Sequence, residues 1–373
     1  MKRILSILSV IVIAFSLISW GVIGHRTIAL IAEQNLTPQA KAAVADLLDG
    51  QSMADVSCWA DNVQKLRQYR HTAAWHFFYV NRNLDRKSFE KDVKSQSQDN
   101  LYRAIKQQKD ILLSPATSKE QKSTALKFLI NLVADAHQPM HVAGAEDKGG
   151  KRIKVHFENK NTNLHALWDS SLIEHGGYSD GELARRNSHY TGDMQIWQND
   201  SPMHWLWESY QISDEQYKFV HNGYRTDSKY YPYYMPVLEK RLQKAAIRLA
   251  GLLNDIFNQP SPQTAQLQST TQDKDNIYRS IQLEDIANHI GENVSVQGRV
   301  YSARSIDNFD LLNMGAEYPY QMLEVVLRDK TVGSGKDFVE RSVRIKGRVS
   351  EHEGRPRIEI TDKKLIRIYT FEY

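Results

Sequence analysis

The sequence predicts a mainly helical domain followed by a small all-β domain. Three observations carry this. Apolar residues recur at three- and four-residue spacing through most of residues 20–257. Residues 259–276, QPSPQTAQLQSTTQDKDN, are polar and lack any apolar period, as a linker does. Beyond them the period shortens to two, in five alternating runs within about eighty residues.

The first segment, MKRILSILSVIVIAFSLIS, joins a basic start to an apolar stretch ending at Ser19. That is the pattern of a secretory signal peptide, and the run is shorter than the about 20 apolar residues of a spanning helix. Residues 1–19 are therefore expected to be removed on export to the periplasm or medium, with no stable membrane association afterwards. TIALIAEQNL, AAVADLLDG, TALKFLINLVADAH and MPVLEKRLQKAAIRLAGLLNDIF then read as helices of a 20–258 domain, and KRIKVHF is its clearest strand. Pro139 and the Gly149–Gly150 pair punctuate the middle. In residues 277–373, the runs NVSVQGRVYSA, MLEVVL, SVRIKGRV, RIEIT and LIRIY suit a five-stranded barrel of the OB type. Gly298 and Gly347 stand where such strands bend. Arg299, Lys346, Arg348, Tyr301 and Tyr320 leave two readings of this domain open, a single-strand-binding module or an ordinary solvated sheet face.

Composition narrows the chemistry. A single cysteine, Cys58, excludes a disulfide framework, a four-cysteine zinc site and an iron–sulfur cluster. Eleven of the 13 histidines precede residue 259, so the first domain is the place to look for a site. Without Lys2 and Arg3 the formal charge falls from +4 to +2, which gives no electrostatic case for a basic nucleic-acid groove. His165 and Asp169 are four apart and share a helix face, where both reach one ion. Asn131 and Asp135 are also four apart, on a helix whose other face is Ala125, Leu129, Leu132, Val133 and Ala136. An acid beside such a core needs a partner or a cation. Pro139 ends that helix and puts His141 in the next turn. With His25, Asp61 and His76, four histidines and three aspartates are available, enough for more than one ion.

Taken together, Trp20-x4-His25, WAD at Asp61, WH at His76, D-x-HQPMH from Asp135 to His141 and NLHALWD around His165 and Asp169 resemble the S1/P1 nuclease family. These are zinc-dependent, single-strand-specific nucleases related to zinc-dependent phospholipases C. The resemblance covers about residues 20–257 and implies three zinc ions in a helical domain. By that resemblance the amine and carbonyl of Trp20, with His25, hold one ion, and Asp61 and His76 a second. Asp135 bridges the two, and His141, His165 and Asp169 hold the third. His137 belongs to the motif as a structural residue. Asp61 and Asp135 are the implied catalytic residues. The implied reaction is hydrolysis of single-stranded DNA or RNA to 5′-phosphate products, with 3′-nucleotidase activity and nucleotides as further substrates. Three positions depart from the family pattern. Asn131 replaces a histidine ligand, where an amide oxygen is the weaker donor. Gln64 replaces a basic residue, and Ser170 an asparagine. A zinc-dependent phospholipase C, or a weakened nuclease-like protein that binds nucleic acid without cutting it, are the competing readings. Trp205, Trp207, Tyr230 and Tyr231 are expected as core or surface residues rather than as base platforms.

Overall fold

The structure, a computed structural model, describes residues 21–188, 194–198, 200–258, 278–281, 283–306, 309–316, 318, 321–328 and 332–368. The expected leader, Trp20, the 259–276 linker and Tyr320 lie outside these residues. The chain is mainly helical up to Phe257 and then a β-sheet region. Among the described residues no helix is long and apolar enough to cross a membrane.

The helical part is organised on the Tyr230–Phe257 helix, whose buried residues Leu238, Leu242, Ala245, Leu249, Leu253 and Ile256 repeat at helical spacing. Against it pack the Gly21–Gln34, Pro38–Leu47 and Lys119–Asp135 helices. Local sequence fixes their starts. Thr37 accepts a hydrogen bond from the Ala40 amide (3.2 Å) just before Pro38, the first helical residue. Ser118 accepts from the Gln121 amide (3.2 Å) while Gln121 Oε1 accepts from the Ser118 amide (2.9 Å), a reciprocal cap. The Lys119–Asp135 helix starts polar, and every residue from Phe128 to Asp135 is buried. Its last turn is thus driven into the centre of the domain.

Two small sheets bring distant segments together. β1 (Phe78–Tyr79) pairs in parallel with β2 (Val142–Ala143), Phe78 opposite Val142. β3 (Lys154–Phe157), the KRIKVHF strand, pairs antiparallel with β4 (Lys160–Asn163) and parallel with β5 (Tyr224–Arg225). β4 runs straight into the Leu164–Ala166 turn, where Asn163 caps by accepting from the Ala166 amide (2.9 Å).

The C-terminal region holds seven described strands, two more than the alternation suggested: β6 (Arg279–Ile281), β7 (Asn293–Ile306), β8 (Phe309–Met314), β9 (Leu323–Leu327), β10 (Ser342–His352), β11 (Arg355–Ile360) and β12 (Ile366–Ile368). They are ordered β12-β10-β11-β9-β8-β7-β6, and β10 also pairs with β7. The first half of β7 pairs with β10 and the second half with β8, with a register shift between Val300 and Ser302. Gly298 and Gly347 are required by packing. A Cβ on Gly298 would lie 2.6 Å from Leu283 Cδ2, and one on Gly347 2.3 Å from Ile358 Cγ2.

A buried ionic network ties the long helix to its neighbours. Arg248, 0% exposed, donates to His137 Nε2 (2.9 Å), to Glu208 (2.6 Å) and to Asp200. Arg241 donates to the His137 carbonyl (3.0 Å) and to Glu208 (2.5 Å). His137 Nδ1 donates to the Val133 carbonyl (2.7 Å), so the ring is neutral, and burial beside the two arginines holds its pKa well below the ordinary value. That is the structural role expected of it. Tyr301 donates to Asp200 (3.0 Å) and Arg299 lies over the Tyr301 ring (4.6 Å), so these two residues are spent on contacts within the chain.

Burial would raise Glu208, but Arg248 and Arg241 hold its carboxyl well below the usual range. A depressed carboxyl stabilises the fold above its unfolded pKa of about 4.3 and loses that contribution as pH falls further. Glu208→Gln should therefore cost about 3–5 kcal/mol at neutral pH, because two buried guanidinium groups lose their counter-charge. Denaturant titrations should show a constant gap between wild type and variant above about pH 5, closing as the pH falls below about 4.3.

Candidate metal centre

Asp135 ends its helix with its side chain fully buried. A carboxylate at a helix C-terminus adds to the negative end of the dipole, so the position is unfavourable without nearby cations. The fold gathers candidate ligands around it from six elements. The Gly21–Gln34 helix presents His25, whose Nε2 lies 3.5 Å from Asp135 Oδ1 and 3.8 Å from Asp61 Oδ2. Asp61 comes from the short Trp59–Val63 helix. His76 ends the Arg67–His76 turn, with Nδ1 2.8 Å from Asp135 Oδ2 and 3.6 Å from Asp61 Oδ1. His141, His165 and Asp169 complete the set, with one ligand atom of each lying within 4.8 Å of the others.

Backbone carbonyls set the ring orientations of the last group. His141 Nδ1 donates to the His76 carbonyl (2.6 Å), a contact made possible by the β1–β2 pairing immediately beyond both histidines. His165 Nδ1 donates to the Gly149 carbonyl (2.9 Å). Each ring thereby turns Nε2 toward Asp169, at 3.9 Å for His141 and 3.8 Å for His165. Burial drives His141 down to about 4 and His165 well below its ordinary value, so both are neutral and ready for a cation. Asp169 lies in a π-helical turn, Leu167–Ser171, rather than in the regular helix that its spacing from His165 suggests. The wider turn still leaves the two side chains facing each other.

The remaining charges are frustrated. Burial would lower His25 and His76, yet the charges of Asp135 and Asp61, and for His76 its hydrogen bond to Asp135 (2.8 Å), raise both above their usual value. Burial pushes Asp61 up. It would do the same to Asp135, but His141, His25 and His76 hold that carboxyl well below the usual range. Neither ring nitrogen of His25 has a hydrogen-bond partner, and His76 Nε2 and Asn131 Oδ1 have none either. The six nitrogen–oxygen separations of 3.5–3.9 Å are too long for good hydrogen bonds. Two ligands of one tetrahedral zinc stand about 3.4 Å apart, so the spacing fits shared ions. Three buried carboxylates with four histidines are a donor set that suits zinc.

Six of the expected ligands besides Asp135 are thus in one place: His25, Asp61, His76, His141, His165 and Asp169. Trp20 lies outside the described residues. Its neighbour Gly21 has φ +52°, and a Cβ there would lie 3.2 Å from Ser170 Cβ and 3.4 Å from the Asp169 carbonyl. Residue 21 is therefore packed against the Asp169 turn. Asn131 is in the cluster, but its amide hydrogens are both engaged, by the Ser57 carbonyl (2.9 Å) and Asp61 Oδ2 (2.7 Å). The Ser57 carbonyl can only accept, which fixes the amide orientation and makes Asn131 a holder of Asp61. Cys58 is half-buried, with burial pushing its thiol up to about 12, so it is an inert neighbour of the site. Trp205 and Tyr230 are buried in packing, as expected.

Sequence reasoning passed over several contributors. Gln138, inside the HQPMH motif, donates to Asp169 Oδ1 (2.8 Å). Phe77 stacks on His141, with centroids 4.6 Å apart and planes at 24°, and lies parallel to Tyr79 at 5.5 Å. Gly149 has φ +64°, and a Cβ there would come within 2.3 Å of the Met140 carbonyl, so only glycine lets its own carbonyl reach His165. The Gly-Gly pair was visible as punctuation, but its link to a ligand was not.

A helical domain that gathers four histidines and three aspartates into one buried centre has the build of a metal-dependent hydrolase. The S1/P1 Nuclease family model matches residues 20–258. Endonuclease 3 of Arabidopsis thaliana is 30% identical over 283 residues, covering 68% of this chain and 95% of its own. Nuclease S1 of Aspergillus oryzae is 27% identical over 273 residues, covering 65% and 93%. Among solved structures, the alpha toxin from Clostridium absonum overlaps with a TM-score of 0.36 at 11% identity, covering 89% of each chain, a likeness too low to decide fold or activity. The chain belongs to the S1/P1 nuclease family and is a phosphoester-hydrolysing endonuclease.

Asn131→Ala should release Asp61 and weaken binding of any ion that Asp61 and His76 hold by about 10–100-fold, the usual effect of losing a partner of a metal ligand. Competition against a chromogenic chelator should resolve that loss, with any ion held by His141, His165 and Asp169 unaffected.

Proposed function

We propose that the protein is an exported, zinc-dependent nuclease that cuts single-stranded DNA or RNA to 5′-phosphate products and removes the phosphate of nucleoside 3′-monophosphates. The observation that carries this reading is the paired orientation of His141 and His165, each tied by Nδ1 to a backbone carbonyl and turned with Nε2 toward Asp169. In this reading Trp20, His25, Asp61, His76 and Asp135 would together hold two zinc ions. His141, His165 and Asp169 hold the third. Zinc bound there activates water near neutral pH and offsets charge developing on phosphate oxygens. The protein's part is positioning. Asn131 and Gln138 each hold one carboxylate ligand in place. Phe77 and Tyr79, parallel to within 3° and half-buried, form an aromatic step beside His141 on which a base can stack. A base reaches such a step only when it is unpaired, which accounts for a single-strand preference.

The C-terminal region is assigned in the same reading to an OB-type barrel, supported by β7 pairing with both β8 and β10. Arg299, Arg328 and Arg357 are paired with Glu340, Glu359 and Glu324. That favours an ordinary solvated sheet face over a nucleic-acid module at these positions.

Zinc-loaded mature protein should release acid-soluble nucleotides from heat-denatured DNA much faster than from duplex DNA, and chelation should abolish this. Cleavage of phosphatidylcholine with single strands left intact would establish the phospholipase reading. Tight zinc binding with turnover of neither substrate would establish a non-catalytic binding protein.

A further inference from the structure

Lys151 follows the Gly149–Gly150 pair, and the metal centre itself fixes that backbone. The Gly149 carbonyl accepts from His165. The Gly150 amide donates to Asp147 Oδ1 (2.6 Å), which also accepts from Tyr217 (2.9 Å). From this anchored start the half-buried Lys151 side chain puts Nζ 4.3 Å from the centroid of the Phe77 ring, the same ring that stacks on His141. The ammonium and a residue of the candidate ion site thus both touch one ring, Phe77. Asp169, Asp135 and Asp61 all act on its charge, and its charge acts in turn on His141 and His165. Among the described residues no carboxylate lies within ion-pair distance of Nζ.

The charge balance decides what such a cation is for. Three divalent ions against Asp61, Asp135 and Asp169 leave the loaded centre strongly positive, so these carboxylates are no longer a counter-charge for Lys151. A half-buried ammonium beside a positive centre is costly unless an anion lies between them. The anion that the proposed reaction brings to that place is phosphate.

We propose that Lys151 is a phosphate-binding residue, which holds a non-bridging oxygen of the substrate phosphate against the metal centre while the adjoining base lies on the Phe77–Tyr79 step. This rests on the nuclease reading of the site. It makes the Gly-Gly-Lys run one device, with the first glycine orienting a metal ligand and the lysine orienting the phosphate. Hydrogen bonds between charged groups contribute enough for a change of about 10- to 100-fold in affinity on removal of the ammonium.

The test uses zinc-loaded full-length mature protein, with Lys151→Gln and Lys151→Arg variants. Three quantities are measured: zinc content by elemental analysis, affinity for inorganic phosphate by calorimetry, and kcat and KM on denatured DNA. The expected result is unchanged zinc in both variants and phosphate binding weakened about 10- to 100-fold in Lys151→Gln, with substantial recovery in Lys151→Arg. kcat/KM should fall to a similar extent. Unchanged phosphate affinity in Lys151→Gln overturns the proposal. So does loss of zinc from that variant, which would make Lys151 a structural support, and so does a wild type that binds no phosphate. Lys151-dependent phosphate binding by a wild type that cuts no nucleic acid would keep this inference and reject the nuclease reading.

Discussion

Asp135 is a carboxylate on the last residue of a helix, without solvent and at the negative end of the helix dipole. Each circumstance alone disfavours its charge, and burial is the largest of them. It stays ionised because His25, His76 and His141 converge on it from three separate segments. Much of the helical domain follows from this one group. The Lys119–Asp135 helix is apolar and buried over its last eight residues, which carries the acid inward. The helices bearing His25 and Asp61 pack where they can meet it. A cation at the centre relieves the whole arrangement, and several buried donor atoms there have no partner within the protein.

The second organising device is backbone chemistry. Histidine ligands are useful only when the correct nitrogen is free. Here two carbonyls settle that choice, His76 O for His141 and Gly149 O for His165. Both depend on structure that is remote in sequence. The β1–β2 pairing brings residues 76 and 141 side by side, and a glycine at 149 allows a close approach that any side chain would block. Below this layer the buried network of Arg248, Arg241, Glu208 and His137 locks the segment just after Asp135 to the long C-terminal helix of the domain. His137 is neutral and engaged on both nitrogens, which separates it from the expected ligands Asp135 and His141, two and four residues away.

What was legible in the sequence was local. The apolar period located the Gly21–Gln34, Lys119–Asp135 and Tyr230–Phe257 helices because each buries a continuous face. The four-residue spacing of His165 and Asp169 correctly put them together, although through a π-helical turn that periodicity cannot distinguish from a regular one. Motif resemblance, rather than spacing, joined His25, Asp61 and His76, since no helical or strand period links segments so far apart. β8 escaped notice because its buried run Leu311–Met314 does not alternate. Gln138, Phe77 and Lys151 were illegible for another reason. Glutamine, phenylalanine and lysine are common everywhere, and only tertiary placement distinguishes these three. Asn131 stood out as a missing histidine, yet its hydrogen bonds to Ser57 and Asp61 define what it does instead.

The central claim is that Asp135 exists in its buried position to be shared between metal ions. The most direct measurement is zinc content per chain, by elemental analysis, of wild type and Asp135→Asn prepared identically and dialysed free of loose metal. The account predicts three zinc ions in the wild type and one in the variant, the survivor being held by His141, His165 and Asp169. Equal zinc in the two proteins, or a folded wild type with none, would contradict it.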